Sequence, residues 1–338
     1  MMRPALEKLK KGSELAPAEM TAAMETIMTG AAADAEIELF LTALRDKGET
    51  ASEITAAARV MRLHAQKLSK PYPDLLDTCG TGGDAKHTFN ISTLSAIIAS
   101  SAGVQVGKHG NRSVSSSCGS ADLLEALDVK IDLPVAAIER SIETIGFGFF
   151  FAPLFHQSTR FAMPARKKIQ GKTLFNLLGP LSNPGGALHQ LVGVYEERLV
   201  KLMAEALREL GARRALVVHG HDGLDEITLC HATSVAELQD GKIRLGRLHP
   251  EEFGLRLATA ADLRCDSRDE AKEAALEVLE GRPGPKLDVA CLNAGAALYV
   301  AGKVKTIREG FDLSKELIES EEAYDKLEEI RSFTRAAV

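Results

Sequence analysis

The 338-residue chain reads as an α/β protein in which a small helical lobe precedes a larger body. Three observations predict this. At about 150 residues per domain the length suits two folding units. The first 70 residues carry only helical periodicity. From Pro71 onward short apolar runs bounded by glycine alternate with helical patterns, the signature of an α/β layer structure. The expected division is 1–70 for the helical lobe and 71–338 for the α/β body. A crevice between two such lobes is a common place for a ligand.

The elements follow in order. Pro17 and Glu19 open a helix whose apolar residues Met20, Ala23, Met24, Ile27 and Met28 share one face, and Gly30 is placed to end it. Ile37, Phe40, Leu41 and Leu44 form the next stripe, stopped by Gly48. Thr50 and Glu53 then make a capping-box pattern ahead of Ile54, Ala57, Ala58, Met61, Ala65 and Leu68. The methionines are best explained as core packing. Four short runs, 75–79, 104–107, 149–152 and 215–219, have strand character. Later helical patterns cover 269–280, 287–300 and the charged stretch 305–330.

Composition removes several functions. Hydrophobic residues make up 45% and charged residues 26%, the usage of an ordinary globular protein. With 41 basic and 47 acidic residues the net charge is -6, and no basic run could track a nucleic-acid backbone. No uninterrupted stretch of 18 apolar residues, as a membrane-crossing helix would need, is present, and Lys8, Lys10, Lys11 and Glu14 stand where a signal peptide would be apolar, so a cytoplasmic protein is expected. Five dispersed cysteines contain no Cys-x-x-Cys pair and read as buried apolar side chains. His219, His221, Cys230 and His231 match no zinc spacing.

Three segments carry chemistry. Asp77-Thr-Cys-Gly80-Thr-Gly82-Gly83-Asp84 follows a strand and leads through Asn90-Ile-Ser92-Thr93 into a helix. A glycine turn there lets backbone N–H groups approach an anion, and the helix N-terminus adds its dipole. Neither a P-loop nor a dinucleotide fingerprint is present. A glycine turn without a ligand would look the same locally. The second segment, residues 108–120, holds two cations, an imidazole, an amide and five hydroxyls, enough donors to surround a phosphorylated sugar. A polar surface loop is its plainer reading, and Ser120 also sits where a helix cap would. The third, His219-Gly-His-Asp222-Gly223-Leu-Asp225-Glu226, lies at the C-terminal end of a strand, where ligands of open α/β sheets gather. Adjacent carboxylates serve one site only if the chain turns there or if they hold different magnesium ions. A solvated acidic turn is the alternative.

These segments, with Lys108-His-Gly-Asn-Arg112, Gly119-Ser-Ala-Asp122, Leu124-Glu-Ala-Leu127, Phe175-Asn-Leu-Leu-Gly-Pro180 and Asn183-Pro184, resemble in order the anthranilate phosphoribosyltransferases over nearly the whole chain. The resemblance implies a central mixed, mostly parallel sheet of the nucleoside phosphorylase/phosphoribosyltransferase type. It also implies helices around 165–190 joining the helical lobe, and a homodimer. The implied reaction transfers phosphoribose from 5-phosphoribosyl 1-pyrophosphate to anthranilate in tryptophan biosynthesis, with Mg2+ as cofactor. By resemblance Gly80, Gly83, Asp84, Thr88, Asn90, Ser92, Thr93, Lys108, Ser116 and Ser120 hold phosphoribosyl pyrophosphate. Ser92, Asp225 and Glu226 serve the metal, Asn111 and Arg166 face anthranilate, and His109 and Lys108 are the catalytic candidates. Ala85-Lys86-His87, Ser117 and Asp128 depart from the usual pattern, the last replacing a glycine.

The chemistry agrees with these residue types. A neutral aromatic amine attacks the anomeric carbon without a strong base, and the barrier lies in departure of charged pyrophosphate, which a metal and oriented donors stabilise. An arginine pairs bidentately with a carboxylate, which gives Arg166 a role, against an ordinary surface salt bridge in the Arg166-Lys167-Lys168 cluster. A pyrimidine nucleoside phosphorylase would use phosphate and need no acidic metal pair. A non-enzymatic nucleic-acid-binding relative is the other alternative, opposed by the acidic balance.

Overall fold

The computed structural model describes residues 2–113, 118–169 and 171–337. Four helices come first: α1 (Met2–Lys10), α2 (Pro17–Met28), α3 (Asp34–Lys47) and α4 (Ala51–Leu63). The stripes expected for α2 and α3 are buried, as are Ile54, Ala57, Ala58 and Met61 of α4, but α4 ends at Leu63, so Ala65 and Leu68 fall beyond it and are only half-buried, and α1 has no counterpart among the expected stripes. The capping box opens α4, where Glu53 N–H donates to Thr50 Oγ1 at 3.3 Å and Thr50 N–H donates back to the Glu53 carboxylate at 3.0 Å. That buried carboxylate also accepts from Lys47 Nζ (2.8 Å) and Leu15 N–H (2.9 Å), so its charge is compensated on all sides and pins three segments together.

The body continues with β1 (Leu76–Gly80), α5 (Ile91–Ser101), β2 (Val106–Gly110), α6 (Ser120–Ala126), α7 (Val135–Ile145) and β3 (Phe147–Phe151). Short helices α8 (Ala152–Phe155), α9 (Met163–Lys168) and α10 (Leu174–Leu178) lead to β4 (His189–Gly193), α11 (Arg198–Glu209), β5 (Arg214–Gly220), β6 (Thr233–Gln239) and β7 (Lys242–Leu248). The chain ends with α12 (Arg268–Leu279), α13 (Pro285–Val300), α14 (Ile307–Glu319) and α15 (Glu322–Ala336). The charged stretch expected at 305–330 is thus two helices, broken where Glu321 adopts φ +67°. Strands β4, β6 and β7 were not anticipated.

The sheet has seven strands in the order β3-β2-β1-β4-β5-β6-β7. The first five are parallel, and β6 and β7 add an antiparallel edge. An N-terminal helical domain and an α/β domain with a mixed, mostly parallel sheet are therefore both present. Alternate residues serve opposite faces. Leu191, Leu216 and Val218 pack against α5 and α12–α15, while Val192, Ala215 and Val217 join α11 and the N-terminal helices in one apolar core. α9 touches α3, and α10 touches α3 and α4, so both lie on the helical side. Strand order reverses between β1 and β4, the topological switch point, and the crevice beyond their C-terminal ends is where such a sheet takes its ligand.

Candidate active site

Gly80 ends β1 and pairs with Gly193, which ends β4. The Asp225 segment crosses directly above both. A Cβ on Gly193 would stand 1.5 Å from the Asp225 carbonyl oxygen, and one on Gly80 would stand 2.6 Å from Asp225 Oδ2. Glycine at both strand ends is the condition for bringing this carboxylate to the switch point. The loop after Gly80 closes on it, with Gly82 N–H donating to Asp225 Oδ2 at 2.9 Å. Gly82 and Gly83 have φ of +63° and +78°, and Ala85 and His87 follow at +58° and +55°. Side chains rarely adopt that region, so Ala85 and His87 store backbone strain in the loop where glycine would not. The far end of the loop is pinned: Thr88 bridges Arg264, and Cys265 N–H donates to the His87 carbonyl at 2.7 Å.

The acidic segment does turn, as its use in one site required. Asp222 accepts from Leu224 N–H and Thr228 Oγ1, Gly223 takes φ +90°, and Asn293 of α13 exchanges hydrogen bonds with both backbone groups of Ile227. Burial, then the charge of Asp84, pushes Asp225 up to about 7. Burial, then the charge of Asp225, pushes Glu226 up to about 8, while Lys108 partly offsets the rise. Carboxyls that resist ionisation this strongly lack sufficient positive charge nearby. Their hard oxygens suit Mg2+, which commonly takes one or two carboxylates and completes its shell with water and substrate phosphates. Among the described residues no three His, Cys, Asp or Glu side chains form a metal cage, and His219 and His221 instead bond to the Val194 carbonyl and Ser234.

Lys108 and His109 lie on β2 itself, not in a loop beyond it. Lys108 is buried, and its Nζ donates to the Thr78 carbonyl (2.5 Å) and to Ser92 Oγ (3.2 Å). Its charge therefore sits beneath Ser92, among Asp77, Cys79 and Glu226. His109 N–H donates to buried Asp77, whose other oxygen accepts from Asn183 Nδ2 at 2.8 Å. Burial holds the His109 imidazole down at about 3, so the ring is neutral. Nδ1 lies 3.1 Å from the Gly179 carbonyl, an acceptor, which assigns the proton to Nδ1 and leaves Nε2 a lone pair with no partner among the described residues.

Asn90 Nδ2 donates to the Cys118 carbonyl at 2.9 Å, tying the start of α5 to the second segment. Asn90 Oδ1 and Thr93 Oγ1 are buried without partners among the described residues, as groups awaiting a ligand would be. Asn111 turns its Oδ1 to the Arg112 N–H, and its carbonyl accepts from Ser120 Oγ at 3.3 Å. Ser120 is not the helix cap. Gly119 holds that position, because a Cβ there would meet Ser113 N at 2.3 Å, and Asp122 takes the Gly119 N–H. Nor does the segment present two cations, since Arg112 is committed to Asp122 and Glu125. Ser116 and Ser117 lie outside the described residues.

Arg166 stacks on Phe175, 5.1 Å from the ring centroid, and forms no ion pair among the described residues, so the surface salt-bridge alternative fails. Burial lowers its proton affinity. Sequence reasoning missed Lys172, whose Nζ lies 3.7 Å over the Tyr195 ring and whose stem faces Gly83, drawn by Asp84 and Asp225. It also passed over Asn293 and the support that Asp77 and Asn183 give His109. Asn183 stands in the Asn183-Pro184 motif, but a contact between residues 106 positions apart has no local signal.

Comparison with known proteins agrees with this arrangement. Residues 72–324 match the family model described as glycosyl transferase family, a/b domain, and residues 3–65 match the helical bundle domain of that family. The chain is similar to the anthranilate phosphoribosyltransferase of Desulfatibacillum aliphaticivorans, 48% identical with 99% of each chain covered, and to that of Laribacter hongkongensis, 50% identical with 98% of this chain and 97% of the relative covered. Among solved structures, anthranilate phosphoribosyltransferase from Thermus thermophilus superposes with a TM-score of 0.92 at 42% identity, covering 98% of this chain and 99% of that one. The Saccharomyces cerevisiae enzyme in complex with PRPP and Mg gives 0.89 at 27% identity, covering 99% and 98%. The chain belongs to the anthranilate phosphoribosyltransferases of the glycosyl transferase family.

Proposed function

We propose that the chain transfers phosphoribose from 5-phosphoribosyl 1-pyrophosphate to anthranilate, releasing pyrophosphate, in tryptophan biosynthesis. The observation that carries this reading is the meeting of the glycine loop with Asp84, Asp225 and Glu226 at the switch point of the sheet. Gly80, Gly83, Asp84, Thr88, Asn90, Ser92, Thr93 and Ser120 line the phosphoribosyl end, where the orphaned Asn90 Oδ1 and Thr93 Oγ1 accept substrate hydroxyls. Asp225 and Glu226, with Ser92, would hold Mg2+, which supplies charge neutralisation to the leaving pyrophosphate when bound. The yeast relative solved with PRPP and Mg supports that assignment.

At the other substrate, Arg166 offers an uncommitted guanidinium to the anthranilate carboxylate, and Phe175 keeps that guanidinium oriented. Neutral His109 accepts from the amine at Nε2, orienting its lone pair towards the anomeric carbon, with Asn111 alongside. Lys108 acts from beneath, holding Ser92 in place and moderating the Glu226 charge. The lobe of residues 1–70, joined by helices around 165–190, and the body of residues 71–338 form the two walls, stabilised by their shared core.

Exposed Leu39 and Met163, on the touching helices α3 and α9, support assembly as a homodimer. The free thiols of Cys79, Cys230 and Cys291 suit a reducing cytoplasm, and no helix among the described residues is long and apolar enough to cross a membrane. Loss of anthranilate fluorescence that requires both phosphoribosyl pyrophosphate and magnesium is the expected result. Phosphate-dependent cleavage of a nucleoside in chelator would overturn the reading.

A further inference from the structure

A cavity of about 670 Å³ opens on the opposite side of the domain junction, between the end of α4, the connecting residues 63–71, the end of α11 and the turn at 182–186. Its volume falls within the usual range for small-molecule sites. Three of its cations, Arg59, Arg62 and Lys67, form no ion pair among the described residues. The fourth, Lys70, is paired with Glu143, and the one acidic residue of the wall, Glu209, is turned to Arg208 at 3.5 Å.

Arg62 is the telling residue. Its Nε donates to the Leu181 carbonyl (2.6 Å) and its Nη1 to the Leu210 carbonyl (3.3 Å), so it is fixed by neutral acceptors in the cavity wall, with no hydrogen bond from Nη2 among the described residues. Arg59 spends only Nη2, on the Glu209 carbonyl. Burial, and then the nearby Arg59, pulls Arg62 down to about 10, as expected of a guanidinium whose charge is uncompensated. Two guanidiniums held side by side without a carboxylate cost free energy that an anion would recover. The rest of the wall combines the polar residues Ser69, Ser182 and Asn183 with an apolar side. Leu63 is 65% exposed at the rim, with Leu68, Pro71 and Pro184 nearby.

We propose that this cavity binds a small organic phosphate, its dianionic head between Arg59, Arg62 and Lys67 and its apolar body against Leu63 and Leu68. The site is separate from the phosphoribosyl crevice, and its ligand would bridge the helical lobe to the body.

The test is calorimetric titration of phenyl phosphate into enzyme saturated with magnesium and phosphoribosyl pyrophosphate, so that the crevice is filled. One saturable site is expected. Arg59→Met with Lys67→Met should weaken it ten- to a hundredfold, since two charged hydrogen-bonding partners are lost. The melting transition should change little, because both residues are exposed and the only bond lost is the exposed one from Arg59 to the Glu209 carbonyl. Leu63→Ser should reduce phenyl phosphate affinity towards that of inorganic phosphate while leaving inorganic phosphate binding as it was. No saturable binding to the loaded enzyme, or binding indifferent to the double variant, overturns the proposal. Phenyl phosphate that binds the free enzyme but is displaced by phosphoribosyl pyrophosphate would belong to the crevice, and that outcome overturns it too.

Discussion

At the scale of single residues the site is defined by charges left without partners. Arg166 has an aromatic neighbour and no carboxylate, so its guanidinium is free for an acid-bearing substrate. Arg166→Ala should lower the anthranilate kcat/KM by roughly ten- to a hundredfold while the KM for phosphoribosyl pyrophosphate holds, because a hydrogen bond to a charged group contributes about 1.5–3 kcal/mol. Steady-state titration of each substrate in turn checks this, and equal losses for both would refute it. Asp128 makes a separate case. It occupies φ +61°, and the left-handed region costs an L-residue about 1–2 kcal/mol, less for aspartate. Asp128→Gly should therefore raise the melting temperature slightly, offset by loss of the 3.7 Å contact with Arg335; a lowered melting temperature would show that contact to be worth more. The glycines and Asp84 are legible as candidate site residues because their types and spacing are local, whereas Ser92, Asp225 and Glu226 become candidates only through the family resemblance, since an acidic turn alone reads equally as a solvated loop. Lys172 is not legible, since nothing around it distinguishes it from any exposed lysine until the fold lays it over Tyr195.

At the scale of elements, the crossing of the acidic segment over two strand ends depends on missing side chains. Gly193→Ala would drive a Cβ into the Asp225 backbone, and backbone cannot swing aside as a flexible side chain can. Such overpacking costs about 1–3 kcal/mol or more, and here it displaces Asp225, so both the melting temperature and turnover should fall. Gly246→Ala in β7 is the matched control, with open space around its Cβ and no positive φ, and should change stability by less than about 0.5 kcal/mol. Thermal melts and turnover of the two variants check the pair, and a Gly193→Ala protein with wild-type turnover would contradict the crossing. Three of the lobe's helices, α2 to α4, are readable from stripes and the Thr50–Glu53 box, whereas α1 is a short, charged helix with no stripe read from it. β4 is not readable, because it opens with His189 and Gln190, polar residues that are buried against the expectation from their type. β6 and β7 did carry a signal that went unread: Asp240-Gly241 between two strand-like runs, with φ of +51° and +72°, is a two-residue hairpin turn.

At the scale of the whole molecule, the buried ionisable groups act on stability with opposite signs. Burial holds His109 and His156 down at about 3 and 4, so below an ordinary histidine value of 6.5 the unfolded chain binds more protons than the folded one, and stability is lost as the solution is acidified. Asp225 and Glu226 are raised to about 7 and 8, so the folded protein keeps protons that the unfolded chain has already released. Their effect is a loss of stability as pH rises from the ordinary carboxyl range to about 8, at about 1.4 kcal/mol for each tenfold difference in proton affinity. Between pH 6.5 and 8 the histidine effect runs out within about the first unit, and the growing carboxyl effect of two raised groups outweighs what remains of it. The melting temperature in chelator should therefore fall across that window. Asp225→Asn with Glu226→Gln, which keeps shape but removes both charges, should flatten the fall and melt higher than the native protein at pH 8 while losing turnover. Lys108 and the histidines are common to both proteins, so the difference between their melting curves reports on the carboxyl pair. Saturating magnesium should restore the native protein more at pH 8 than at pH 6, because at the lower pH the cation must displace protons, and it should do little for the double variant. A native melting temperature that is level across this window, or a double variant that answers magnesium as the native protein does, would remove the electrostatic basis for placing the metal at this pair.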